Sequence, residues 1–392
     1  MANVYGNGTN STIGNQFNTY EYKRKALIET EKVEYFGQMG DSESLTKNYG
    51  QKIKKYHYLP LMDDRNINDQ GINAAGVVVA NGNLYGSSKD PGVILSKLPT
   101  LSETGGRVNR VGFKRIELEG DIAQYGFFYE WSQESLDFDT DMDLYSHINR
   151  ESLRGAREIS EDIAQLDLLA AAGVVKVIGT GTTLNTVNDV VSYNDLIKLG
   201  ITLDENRCPV DTKIIKGSQD TDVKNIASAR YLFCGSELIP TFMRMVDYHG
   251  EKAFVDIKDY AKMENGKYVN TLHGEIGAVG KFRIVIVPEM MQYKGQGVAV
   301  GSAVNGSTLL NNGTKIDVYP MLVIGSGSFA RINFQSSGTT NDKFKIIVRK
   351  PGTFANPEDP YEKIGYSSIQ FWQGTFILRP EWIAKILTGA KA

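Results

Sequence analysis

Between Thr140 and Ala172, Tyr145, Ile148, Ser152, Ala156, Ile159, Ile163, Leu166 and Ala170 recur at alternating three- and four-residue steps, with no proline in the stretch. That spacing lines them up in one stripe of a 3.6-residue helix. His147, Arg150, Arg154, Arg157, Glu158, Glu161 and Gln165 fall on the opposite face and are expected in water. Arg154–Glu158 and Arg157–Glu161 would form exposed i,i+4 pairs there. Thr140 is expected to cap the start, with Asp143 completing a capping box. Asp137, Asp139 and Asp141 would sit near the positive end of the dipole, and Gly173 would end the helix. The element would be roughly 45–50 Å long. A coiled coil does not fit, because Ser152, Gly155 and Asp162 would share the seam. The expectation is one long helix packed by one face on a sheet, with small central residues allowing close approach.

Before the helix the pattern changes. Residues 1–50 are polar at first, and Glu21–Gly40 offers one short helical or extended piece, so this part reads as an arm that needs a neighbour. Gln51–Leu61 alternates like a strand, with lysines between Ile53 and Tyr56 or His57. Met62–Asn109 is rich in Asn, Gly, Ser and Asp with short apolar islands, an unusual length for a loop within a compact domain. Val111–Trp131 resumes as two strands with a turn expected near Glu119-Gly120-Asp121. Strand, long loop and strand together predict a projecting two-stranded flap.

After the helix, Ser192–Arg207 reads as a short amphipathic helix. Strands are expected in TKIIKGS and ARYLFCGSEL, with a helix broken near Pro240 in LIPTFMRMVDY. Phe282, Ile284, Val285, Ile286 and Val287 form an unalternating apolar run, the mark of a buried strand. VYPMLVIGSGSFARINF and FKIIVRKPG add further strands. The end, IGYSSIQFWQGTFILRPEWIAKIL, predicts an aromatic strand pair and a short terminal helix, with Trp372, Phe376 and Trp382 returning to the helix–sheet layer.

Composition narrows the possible functions. With 41% hydrophobic and 23% charged residues and a net charge of −3, this is ordinary globular material without the basic excess of a dedicated nucleic-acid binder. No apolar run reaches membrane-spanning length, and the first residues lack a signal peptide's apolar core. Cys208 and Cys234 have no metal-ligand spacing and read as buried thiols. His57, His147, His249 and His273 are scattered. Asp137, Asp139, Asp141 and Asp143 lack the glycine and distal glutamate of a calcium loop.

Gly325-Ser326-Gly327-Ser328-Phe329-Ala330 fits a G-x-G-x-x-A dinucleotide fingerprint after an apolar strand. That motif needs a helix opening directly behind it, whereas Arg331-Ile332-Asn333-Phe334 alternates like a strand, so a tight glycine turn is the preferred reading. A nucleotide-binding oxidoreductase built on Gly325–Ala330 stays as an alternative. No catalytic constellation is visible.

Several stretches carry a family resemblance: QKIKKYHYLPLMDD, DIAQYGFFYEWSQESLDF, Leu199–Pro209, HGEIGAVGKFRIVIVPEM, VYPMLVIGSGSFA and DPYEKIGYSSIQFWQGTFILRPEWIAKI. In this order the chain resembles the major capsid (coat) proteins of tailed bacteriophages, the N4-like podophage coat family with the HK97-type fold. The resemblance implies an α+β fold with a long spine helix, an extended (E) loop, and peripheral (P) and axial (A) domains. It divides the chain into an arm over 1–50, the flap and its strands over 51–130, and the spine over 131–180. An axial domain with peripheral strands follows over 181–355, and a strand and helix returning to the peripheral domain over 356–392.

The implied work is self-assembly, through hexamers and pentamers, into an icosahedral shell around double-stranded DNA. That makes it a virion protein assembled in the host cytoplasm, not an enzyme, with no cofactor or metal and no membrane partner. Portal, scaffold and decoration proteins are further candidate partners, and packaged DNA would meet the inner face non-specifically. A decoration or tail component is the alternative within the virion. Some relatives cross-link a flap lysine to a neighbouring asparagine; Lys89, Lys97 and Asn356 offer the residue types, without an identifiable acidic catalyst, and no such bond is expected. Lys54, Lys55, Arg65, Lys89, Lys97, Arg107 and Arg110 are the candidates for inter-subunit contact, with simple solvation as the alternative for each.

Overall fold

In the computed structural model a single helix runs over Leu144–Ala171, preceded by a separate short helix at Gln133–Phe138. The structure describes residues 4–5, 9–10, 35–46, 50–58, 115–138, 144–215, 223–226, 228–261, 263–264, 267–268, 271–304, 306–335, 344–352 and 359–391. The expected cap at Thr140, Asp139, Asp141 and Asp143, most of the arm, and the whole of Met62–Asn109 lie outside them.

The length of the helix agrees with its sequence pattern, but its buried face does not. Ser152, Ala156, Ser160, Ala164, Leu168 and Ala172 are buried at steps of four, with Gln165 and Leu169 beside them. Ile159 and Leu166, expected inside, are 38% and 54% exposed. Gln165, expected in water, is buried and donates through Nε2 to Met290 Sδ at 2.8 Å. Leu168 and Leu169 reach the sheet core beside Phe233, Val285 and Leu322, and Leu166 lies outside it. The partner expected for Glu161 also differs. Arg154 meets Glu151 at 3.8 Å, and Glu161 pairs with Arg331 and accepts from Phe36 N at 3.1 Å.

The chain divides into two compact units. The larger comprises residues 33–125, 157–345 and 370–392. It is built on a seven-stranded sheet in the order Phe254–Asp256, Glu275–Val279, Phe282–Ile286, Arg230–Cys234, Tyr319–Ile324, Ile383–Thr388 and Val174–Val177. Arg230–Cys234 runs parallel to Phe282–Ile286, and Ile383–Thr388 parallel to Val174–Val177; the other neighbours are antiparallel. Every residue of Arg230–Cys234 and Tyr319–Ile324 is buried, which explains their unalternating sequence.

The helix Tyr193–Glu205 packs Leu196, Leu199 and Leu203 into one core cluster with Leu232, Ile284 and Val323. Its start is a capping box between Ser192 and Asp195. Leu168, Leu169 and Ala172 of the long helix join a second cluster with Phe233, Val285, Leu322, Ile324 and Ile383. Such packing is the main source of stability for a helix with a polar opposite face.

Three further expectations are corrected. Glu119-Gly120-Asp121 is strand rather than turn: Arg115–Asp121 and Ala123–Ser132 are separated only at Ile122. Pro240 does not break a helix but sits in the first turn of Ile239–Met243, where its missing N–H costs no bond. The chain end is not a helix. A single fourteen-residue strand, Ile364–Ile377, is followed by a 3₁₀ turn at Pro380–Trp382 and the strand Ile383–Thr388, whose β-branched and apolar residues fill an interior sheet position. Trp382 and Phe376 are buried, as their sequence context suggested.

The smaller unit contains residues 4–5, 9–10, 126–138, 144–156, 346–352 and 359–369 among those described. Gln133 N donates to Lys363 O at 2.7 Å, and Lys363 reaches Glu134 at 3.4 Å. Gly365 makes room for the Trp131 ring: a Cβ there would lie 2.7 Å from Nε1. Phe128 and Tyr361 remain largely exposed.

Candidate interaction surfaces

Lys52–Tyr58 and Arg115–Asp121 form an antiparallel ribbon, with Lys52 opposite Asp121, Lys54 opposite Glu119 and Tyr56 opposite Glu117. Period-2 alternation puts Lys52, Lys54, Tyr56 and Tyr58 on one exposed face with Arg115, Glu117, Glu119 and Asp121. Lys54 Nζ meets Glu119 Oε1 at 2.6 Å, and Lys52 reaches Asp121 at 3.3 Å. The hydrogen bond from Lys54 raises its own pKa and lowers that of Glu119. Arg115 stacks over the Tyr56 ring at 4.5 Å. At the base, Ile53 and Leu118 pack against Leu45, Ile122, Ile332 and Phe376. Gly120 is needed there, since a Cβ would stand 2.8 Å from the Phe376 ring. Among the described residues this sheet has two strands only.

Of the seven candidate contact residues, Lys54 and Lys55 are on this ribbon. Lys54 is held by Glu119; Lys55 pairs with Glu43 and lies 5.9 Å from the Phe376 ring centre. Arg65, Lys89, Lys97, Arg107 and Arg110 lie outside the described residues, as does Asn356. The acidic partners Glu43, Glu119 and Asp121 were not singled out from sequence. The signal was there, in the alternate positions of KIKKYHY and RIELEGD, but it becomes readable only once the register is known.

The larger unit also buries charge. Glu275 accepts from Tyr260 Oη at 2.6 Å and Leu272 N at 2.9 Å, with Arg283 at 3.4 Å. Burial pushes its carboxyl above the ordinary range despite those donors. Cys208 and Cys234 are free and buried. His57 is half-buried, and burial followed by repulsion from Arg379 and Lys55 lowers its pKa. None of these groups forms a nucleophile–base pair. Among the described residues no cluster of three His, Cys, Asp or Glu side chains could hold a metal, and no helix is long and apolar enough to cross a membrane.

The glycine fingerprint resolves as a turn. Gly327 has φ of 70°, Ser328 N donates to Gly325 O at 3.2 Å, and the strand Phe329–Gln335 follows at once. The helix N-terminus that would receive a pyrophosphate is therefore replaced by a strand.

A family model described as "Phage capsid protein" matches residues 116–367. The "Major capsid protein" of Pseudomonas phage KPP21 is 50% identical over 387 residues, covering 98% of this chain and 96% of that protein. Among solved structures, the capsid of Ralstonia phage GP4 aligns with a TM-score of 0.58 at 11% identity, covering 97% of this chain and 98% of that one. The capsid of cyanophage P-SCSP1u aligns with a TM-score of 0.56 at 13% identity, covering 99% and 97%. At such identities these structures speak for the fold alone, which is the HK97-type α+β fold.

The chain belongs to the phage capsid protein family. Within it, this is a major capsid protein, a component of the virion shell.

Proposed function

We propose that this chain builds its shell by geometric means and without catalysis: copies join through hexamers and pentamers, and the segments over 1–50 and 51–130 tie each subunit to its neighbours. The reading is carried by 50% identity to a phage major capsid protein along 98% of the chain. The ribbon supports the flap's role. Two-stranded sheets are marginal alone, and ordering the long segment beyond Tyr58 costs conformational entropy that contacts with another copy would offset. On this reading 131–180 is the spine, 181–355 the axial domain with peripheral strands, and 356–392 the return to the peripheral domain. Packaged double-stranded DNA meets the inner face without sequence preference, the net charge of −3 limiting tight adhesion. Portal, scaffold and decoration proteins are the further partners this reading allows.

Electron microscopy of the purified protein tests this. Closed shells are expected from the full chain. Removing residues 62–109 should leave a folded subunit that no longer forms shells. Normal shells from that variant would refute the role given to the flap.

A further inference from the structure

One cleft in the larger unit holds more positive charge than its own residues neutralise. Its volume is about 300 Å³, and residues 190–193, at the start of the helix Tyr193–Glu205, line it together with Arg244, Val246, Val304 and Lys391. Arg244 and Lys391 are exposed, and neither side chain makes an ion pair or hydrogen bond among the described residues. Asp189, the cleft's one carboxylate among those residues, accepts from Val190 N at 2.7 Å and pairs with neither cation. Asp195, the helix's capping acid, is already held by Lys176 at 3.0 Å. Two cations therefore face one carboxylate, beside the positive end of a helix. Val246 and Val304 give the cleft an apolar wall, 55% and 47% exposed. A group that fits would be apolar at its side and negative at its end.

The smaller unit presents such a group. Tyr361 is 82% exposed, more than any other large hydrophobic side chain among the described residues. Tyr248, the next most exposed, is tied to Asn194 at 2.9 Å and lies against the Tyr193 ring. Next to Tyr361, the Glu362 carboxylate has no ion pair or hydrogen bond among the described residues. The backbone that carries them is held in place. Glu362 N donates to Asp359 O at 3.3 Å across a turn whose second residue is Pro360, and Ile364 N donates to Asp359 Oδ2 at 2.7 Å. Gly352 N closes the base on Glu362 O at 2.9 Å. Glu362 keeps a φ of 57°, uncommon for a residue other than glycine. A ring with two rotatable angles on a turn already ordered loses little freedom on binding.

We infer that Tyr361 and Glu362 of one copy enter this cleft on a second copy, the ring against Val246 and Val304 and the carboxylate between Arg244 and Lys391. The inference rests on self-assembly, the reading proposed above, and names one contact within it. Burial of the ring supplies the drive, and the opposite charges fix the direction of approach. Knob and cleft are different surfaces, so the contact is heterologous, the kind that repeats from copy to copy and closes a ring when the rotation allows.

The test uses full-length chains with photoreactive benzoylphenylalanine in place of Tyr361, half of them heavy-isotope-labelled, assembled together into shells and irradiated. Cross-linked peptides joining position 361 of one isotope to a cleft residue of the other are expected. In parallel, Glu362→Arg and Arg244→Glu should each lower the yield of shells while leaving the unfolding midpoint of the unassembled subunit unchanged. The two substitutions in one chain should restore the yield. Cross-links confined to one isotope, or falling outside the cleft, would overturn the inference. So would single variants that assemble as wild type does, or a double variant that folds and stays unassembled. If microscopy finds no shells from the wild-type chain, self-assembly itself fails, and this contact with it.

Discussion

Arg230 Nη2 donates to Asp204 Oδ1 across 2.7 Å, linking a fully buried strand position to the last turn of the helix Tyr193–Glu205. A carboxylate at a helix C-terminus is opposed by the dipole. Lys281, at 2.6 Å, completes the compensation. The guanidinium also donates to Cys208 O at 2.7 Å and Pro209 O at 3.3 Å, so it is satisfied on several sides of its burial.

Asp204→Ala should destabilise the larger unit by about 1.5–3 kcal/mol, the scale of a hydrogen bond to a charged group. The value falls below that for breaking a fully buried pair because Asp204 is 37% exposed. Burial raises the Asp204 pKa, but Lys281 and Arg230 outweigh it and hold the carboxyl below its ordinary range. Its contribution is therefore present above the unfolded value of about 3.9 and is lost as pH falls through the folded one. Urea unfolding of wild type and variant across that range checks both statements.

Glu275 should behave in the opposite sense. Its folded pKa is raised by burial, so the protein binds this proton more tightly when folded. Stability is greatest below the unfolded value of about 4.3 and declines as pH rises through the folded value. Glu275→Gln removes the titrating group and keeps one acceptor oxygen for Leu272 N, while its amide N–H can donate to Tyr260 Oη in place of the bond the carboxylate accepted. The variant's urea midpoint should vary less than wild type's between about pH 4 and 8.

The orientation of the long helix can be measured with two leucines. Leu168 is fully buried in the sheet-facing cluster, and Leu168→Ala should cost about 2–5 kcal/mol. Leu166 is 54% exposed, and Leu166→Ala should shift the unassembled subunit's stability by less than about 0.5 kcal/mol. Equal losses in chemical denaturation would mean that the helix presents the other face.

The two cysteines should be chemically silent until the protein unfolds. Burial pushes the Cys208 thiol to about 11, with Arg230 opposing the shift, and burial raises Cys234 as well. Near pH 8 neither offers appreciable thiolate, which is the reactive form. Colourless reaction mixtures with a disulfide dye in buffer, and two thiols released in denaturant, are the expected readings.

Much of the architecture was legible because it depends on local pattern. The capped helix after Ser192, the buried run from Phe282, the paired strands flanking 62–109 and the turn at Gly325 each follow from neighbours in sequence. The errors share a different cause. WIAKIL has the apolar content of either a helix or an interior strand, and the open position between Tyr319–Ile324 and Val174–Val177 decides for strand. Gln165 looked polar and therefore exposed, until Met290 from a distant segment supplied its partner. The candidate lysines at 54 and 55 were visible as charge, but Glu43 and Glu119 came into reach only through strand register.

By itself, then, the chain's order of residues determined the long helix, the strand pair flanking 62–109, the buried strands and the family to which they belong. Spacing and local backbone preference act over a few residues and survive without the rest of the fold. Tertiary structure alone decided which side of the helix is covered and which acids meet which bases. Those outcomes depend on segments far apart in sequence arriving at one place, where close packing and desolvation choose among arrangements that local pattern leaves equivalent.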